Sequence, residues 1–126
     1  MKKIIQTKNA PAPIGPYSQA VNANGTLYIS GQIAIEPATG NLILADIESE
    51  THQVMKNLEA ILAEAGMNFT NVVKTCIFLM DMNNFAKVNA VYGSYFTSDF
   101  PARETVQVSC LPKNVTVEIS MIASLQ

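Results

Sequence analysis

Strict alternation of apolar and polar positions is clearest near the C-terminus. In Phe100–Met121 it sets Val106, Val108 and Cys110 between Arg103, Thr105, Gln107 and Ser109. It then sets Val115, Val117, Ile119 and Met121 between Thr116, Glu118 and Ser120. A period of two in β-branched residues predicts two strands. With Leu111–Asn114 as the turn they form a hairpin in which Gln107 opposes Glu118 and Thr105 opposes Ser120, because opposed positions keep a constant index sum. That register puts Arg103, Thr105 and Glu118 on one face.

Upstream, a short strand is predicted around Lys3–Thr7. Asn9–Ser18 contains Pro11, Pro13, Gly15 and Pro16, a density that excludes regular structure and leaves a rigid loop ending at Tyr17. Thr26–Ser30 reads as a strand after the Asn24–Gly25 turn, and Gln32–Ile35 continues extended after Gly31 until Pro37–Gly40 turns the chain. A glycine inside a strand marks a bulge or a close approach to the backbone.

Ile47, Val54, Met55, Leu58, Ile61, Leu62 and Ala65 recur at spacings of three and four, predicting an amphipathic helix over Asp46–Ala65. Asp46, Glu48 and Glu50 lie near its first turn, where carboxylates complement the macrodipole, and Gly66 follows its end. Val72–Leu79 is nearly continuous in apolar residues and predicts a central strand covered on both faces. A second helix runs from Asn83 or Asn84 to Phe96, burying Phe85, Val88, Val91, Tyr92, Tyr95 and Phe96, with Asn89 at the edge of that stripe. The order strand, strand, strand, helix, strand, helix, hairpin implies an α+β fold. It is one domain over residues 1–126, a mixed β-sheet with two helices packed on one face and the other face needing cover.

Composition narrows the function. A chain of 126 residues buries roughly two thirds of its unfolded surface in one core. Eight basic and ten acidic residues give a net charge of −2 with no Lys/Arg cluster, which argues against a nucleic-acid surface. Hydrophobic residues make up 48% and charged residues 14%, a balance that suggests apolar surface covered by a partner subunit. The N-terminus has only Ile4 and Ile5 as consecutive apolar residues after its lysines, and no run approaches a membrane span, so a soluble, cytoplasmic protein without membrane contact is expected. Cys76 and Cys110 read as reduced small hydrophobes in strands, and His52, alone and among polar neighbours, reads as solvent-facing and argues against zinc.

The predicted hairpin face carries the candidate chemistry. Four residues along a strand separate Arg103 from Gln107 by roughly 13 Å between Cα atoms, and the long Arg side chain closes part of that gap. The remaining space suits a small molecule whose carboxylate Arg103 grips bidentately while Glu118 meets its other end. The competing reading is a solvated polar sheet face.

Pro101-Ala102-Arg103, Thr105-Val106-Gln107-Val108, Leu111-Pro112-Lys113, Val117-Glu118-Ile119 and Ile122-Ala123 resemble the C-terminal signature of the RidA (YjgF) family of reactive-intermediate deaminases. Ile14-Gly15-Pro16-Tyr17-Ser18-Gln19-Ala20 and Ile29-Ser30-Gly31-Gln32-Ile33 resemble that family's two other landmarks, so the likeness spans nearly the whole chain. The resemblance implies a fold like that of the trimeric bacterial chorismate mutase, a homotrimer with intersubunit ligand clefts. The implied activity is hydrolysis of enamine/imine intermediates, such as 2-iminobutanoate and 2-iminopropanoate, to 2-keto acids and ammonia without metal or cofactor. It makes Arg103 the carboxylate grip, Glu118 the residue that orients or deprotonates water, and Tyr17 a pocket wall. Ser30 offers a hydroxyl beside the Gly31 N–H, and Asn89 meets the polar end of the pocket. Thr105 stands where many members carry Cys, so a thiol is not essential here and the position acts through its backbone or confers different reactivity. Two rivals follow from the same likeness: a trimeric module that binds keto or amino acids without turnover, and an endoribonuclease, disfavoured by the acidic balance.

Overall fold

The computed structural model describes residues 1–125. β1 (Lys2–Ile5), β2 (Ala20–Ala23) and β3 (Thr26–Gln32) form an antiparallel meander, the last two joined through Asn24 and Gly25 at φ 53° and 87°. Those left-handed values suit an Asn-Gly hairpin turn, whose twist matches the strands it joins. α1 (Ile47–Glu64), β4 (Val72–Leu79), α2 (Phe85–Gly93), β5 (Ala102–Gln107) and β6 (Val117–Ser124) follow. The sheet order is β1-β2-β3-β6-β4-β5, with β4 and β5 parallel and every other neighbouring pair antiparallel.

α1 begins where the Asp46 carboxylate accepts the Ser49 N–H at 2.7 Å and ends before Gly66, whose φ of 74° is left-handed. Its stripe of Val54, Met55, Leu58, Ile61 and Leu62 is fully buried with Val117, Ile119, Met121 and Ala123 of β6. Each such side chain contributes about 1.5–3 kcal/mol of burial. α2 adds Val88 and Tyr92 to the same core, so both helices cover one sheet face as expected. No helix among the described residues is long and apolar enough to cross a membrane.

The expected C-terminal hairpin is not formed. Leu111–Asn114 does turn, with the Asn114 N–H donating to Leu111 O at 3.0 Å and Lys113 and Asn114 at positive φ, but the flanking strands pair elsewhere. β6 lies between β3 and β4, and β5 runs parallel to β4 at the sheet edge. Gln107 therefore opposes Leu79, and Thr105 opposes Ile77, not Ser120. Alternation states that a segment is a strand but not which strand it joins. The neighbours follow from burial: β6 is covered throughout on the helix side and needs partners at both edges, whereas the intervening Ala102, Glu104 and Val106 of β5 are exposed.

Several smaller expectations also change. β2 was not foreseen, because Ala-Val-Asn-Ala carries little alternation, and Gln32–Ile35 adds only an isolated bridge from Ile35 to Leu42. α2 stops at Gly93, follows a 3-10 turn at Met82–Asn84 that Asp81 caps, and leaves Phe85 39% exposed. Cys76 and Phe78 on the second face of β4 are only half-buried in the single chain, and Cys110 is exposed and lies outside any strand. Glu50, expected to serve the helix dipole, is 2% exposed.

Candidate functional site

Pairing decides which side chains share a face. Arg103 opposes Thr75 and Thr105 opposes Ile77, both of which point to the helices; Glu118 opposes Phe78 on the other face. The expectation that Arg103, Thr105 and Glu118 share one face of the chain is therefore wrong, and its cause is the insertion of β4 between the two strands. Each face carries its own cavity.

On the open face Glu118 lines a cavity of about 350 Å³ with Tyr17, Ser30, Gly31 and Gln32, its remaining wall being apolar and including Ile14, Ile33 and Pro112. The pairing of β3 with β6 shifts between Ile29 and Gln32, so Gly31 lies at an irregularity beneath the Glu118 side chain. A Cβ on Gly31 would stand 2.5 Å from Oε2 and 2.9 Å from Cδ of Glu118. The close approach that the glycine permits is thus Glu118 itself. Burial raises the Glu118 pKa above the ordinary carboxylate value, and no neighbouring charge offsets it. A carboxylate that resists ionisation binds a proton more readily, the property a general base requires.

Tyr17 ends the proline-rich loop, and its hydroxyl accepts the Ile14 N–H at 3.2 Å. The Ser30 hydroxyl donates to Ser18 O at 2.6 Å, which commits its proton to the loop and leaves its oxygen as an acceptor.

On the helix face Arg103 lines a second cavity of about 290 Å³ with Asn89, Tyr92, Gly93, Phe100 and Pro101. Its guanidinium carbon sits 5.1 Å from the Tyr92 ring centre and 5.7 Å from that of Phe85, within cation–π range. Among the described residues the only ion pair is Lys74–Glu104 at 2.7 Å, so no carboxylate there neutralises Arg103. The aromatic pair orients the planar fork and leaves its donors for an external anion. Tyr92, held by Thr75 at 2.9 Å, has its pKa raised by burial against the opposing effects of that hydrogen bond and the Arg103 charge. Thr105, two residues along β5, does not line this cavity, and its buried Oγ1 has no hydrogen-bond partner among the described residues.

Tyr17, Ser30, Gly31 and Glu118 are thus brought together, as are Arg103 and Asn89, but the groups are not joined within one chain. Three buried polar residues near the first cavity were not anticipated. Asn57 of α1 donates to Ile33 O and Ile35 O at 3.1 and 3.0 Å, fixing one apolar wall. Glu50 accepts from Thr116 N, Thr116 Oγ1 and Val117 N, holding the start of β6 just before Glu118. Gln19 ties down the loop that carries Tyr17. Polar residues falling on the apolar stripe of α1, as Glu50 and Asn57 do on either side of Val54, are a signal of such a role that the exposed Glu48 lacks.

The fold and the two cavities define a small α+β protein with a carboxylate of raised pKa in a mostly apolar cleft and an aromatic-stacked guanidinium without a carboxylate partner among the described residues. The chain belongs to the Rid (RidA/YjgF) family, whose model, described as Endoribonuclease L-PSP, matches residues 7–125. It is 51% identical over 123 residues to the bovine 2-iminobutanoate/2-iminopropanoate deaminase, covering 98% of this chain and 90% of that protein. The crystal structure of YyfA, a Rid family protein of Yersinia pestis, superposes with a TM-score of 0.97 at 53% identity, covering 99% of this chain and 100% of that one. Escherichia coli TdcF with bound serine gives a TM-score of 0.95 at 38% identity, covering 98% of this chain and 99% of that one.

Proposed function

We propose that this protein hydrolyses 2-imino acids such as 2-iminobutanoate and 2-iminopropanoate to 2-keto acids and ammonia, in clefts between the subunits of a homotrimer. The observation that carries the reading is the division of the site. Among the described residues Arg103 has no carboxylate partner and Glu118 has a raised pKa, yet they lie on opposite faces of one sheet, so one small molecule meets both only where a second copy brings its Arg103 to Glu118. Tyr28, Val106 and the other half-exposed apolar residues of the open face supply a surface for that copy. Relatives near 50% identity named as deaminases, and the serine held by TdcF, support a small amino-acid-like ligand.

In this reading Arg103 binds the substrate carboxylate as a bidentate fork, with Asn89 beside it. Glu118 takes a proton from a water molecule as its oxygen attacks the C=N carbon and returns that proton to nitrogen, giving the carbinolamine; it then relays the carbinolamine O–H proton to the amino group, so that the C–N bond breaks, ammonia leaves and the C=O forms. Ser30 and the Gly31 N–H hold the ligand and Tyr17 closes the wall, whereas Thr105, which lines neither cavity, is given no contact. Positioning with one base is adequate because imines are already prone to hydrolysis. The test mixes two inactive variants, Arg103→Ala and Glu118→Gln, after reversible unfolding. Clefts built from two chains recover about one quarter of wild-type sites on random assembly. Clefts built within one chain recover none, and inactivity of the wild type against every imine leaves only the binding-module reading.

A further inference from the structure

The proline-rich segment that walls the Glu118 cavity has little means of holding itself. Pro11, Pro13 and Pro16 have no N–H to donate, and the segment joins no strand. The Ser30 hydroxyl holds its exit at Ser18 O, and what holds its entry is one side chain at the head of β2. Gln19 is 2% exposed, and its Oε1 accepts the Thr7 N–H at 2.7 Å. Its Nε2 faces Thr7 O at 3.0 Å, Pro11 O at 2.8 Å and Ala10 O at 3.3 Å. The amide therefore gathers the loop's entry, Thr7–Pro11, onto its exit. Pro11, Ala12, Ile14 and Tyr17 of the same loop face the cavity.

We infer that Gln19 is a positioning residue: its amide sets how far the Pro11–Tyr17 wall stands from the Glu118 carboxylate, and so how long an apolar substrate side chain is accepted. The inference rests on the imine-hydrolysis reading for its substrate. A 2-iminobutanoate of about seven heavy atoms, at the ~30 Å³ that a water occupies in the liquid, needs on the order of 200 Å³. The cavity offers about 350 Å³, and its wall is mostly apolar. Short substrates are thus served by the charged groups alone, whereas longer ones lean on the loop.

Gln19→Glu tests this because it keeps the shape and the acceptor for Thr7 N–H but sets an oxygen against three carbonyl oxygens. Imines generated by an amino-acid oxidase from leucine and from alanine are compared on one enzyme sample, so that the folded fraction cancels in the ratio of their kcat/KM values. The leucine-to-alanine ratio is expected to fall about tenfold, the effect of one lost hydrogen bond. Amide exchange in residues 8–18 is expected to quicken while that of β3 and β6 is unchanged. If Gln19→Glu does not fold, Gln19→Ala removes the same donors without a charge and is read in the same way. A folded variant with an unchanged ratio, or with unchanged exchange in the loop, overturns the inference. A wild type that neither turns over any imine nor binds a keto acid overturns the deaminase reading and the substrate part of the inference; the exchange measurement then still decides whether Gln19 holds the loop.

Discussion

Gly31→Ala separates function from stability more sharply than any substitution of a charged residue. Gly31 does not lie in the left-handed region, so alanine meets no backbone strain there, and the three atoms nearest its Cβ all belong to Glu118, at 2.5 Å for Oε2, 2.9 Å for Cδ and 3.2 Å for Cγ. Those atoms are the far end of a flexible, half-buried side chain that swings aside instead of deforming the sheet. An off-rotamer side chain costs about 0.5–1.5 kcal/mol. Replacing Gly by Ala returns about 0.4–1 kcal/mol through the unfolded chain. The net change in stability is expected to stay within about 1 kcal/mol, read from urea denaturation. Activity fares differently, because the displaced carboxylate is the proposed base, and general-base help is worth about 10²–10⁴ in rate. A coupled assay in which threonine dehydratase supplies the imine is expected to show a loss approaching that range. Adding Glu118→Gln to Gly31→Ala is expected to cost little more, since both remove the same function. Wild-type hydrolysis by a folded Gly31→Ala protein refutes the role of the Glu118 position.

The same geometry sets four further expectations. Because burial raises the Glu118 pKa, hydrolysis is expected to rise with pH through a midpoint above the ordinary carboxylate value of 4.5, and Glu118→Gln to abolish that limb while keto-acid binding persists; a midpoint at or below 4.5 refutes it. The sign for stability is opposite: the folded state holds the proton longer, so Glu118 stabilises below the unfolded pKa and loses that contribution as pH rises through the folded one, making Glu118→Gln relatively more stable at neutral pH. Arg103→Lys replaces a fork by a point charge and is expected to weaken keto-acid binding roughly ten- to a hundredfold by calorimetry, and unchanged affinity removes Arg103 from the site. Glu50→Ala strips the acceptor from Thr116 and Val117 and is expected to cost about 3 kcal/mol in chemical denaturation, whereas a loss within about 0.5 kcal/mol, as at an ordinary surface position, contradicts its structural role.

Local pattern carried most of the element assignments. The stripe of α1, its Asp46 cap and Gly66 stop, the β4 strand, the proline loop and the Asn24–Gly25 turn are all written in neighbouring residues, because propensity, capping and turn chemistry act over a few positions. Glu118, Tyr17, Ser30 and Gly31, which the family resemblance and not local pattern singled out together, line one cavity.

Only the tertiary structure decided which strands are neighbours. The run from Val115 to Met121 alternates identically whether it pairs with β5 across the Leu111–Asn114 turn or slots between β3 and β4, since a period of two records faces and not partners. That choice moved Arg103 to the helix side, against Tyr92 and Phe85, and left Glu118 on the other. What the buried amides and carboxylate of Gln19, Asn57 and Glu50 bind was hidden for a related reason. Their partners are backbone groups up to 67 positions away, and a polar side chain announces its partner only when the fold has brought that backbone to it.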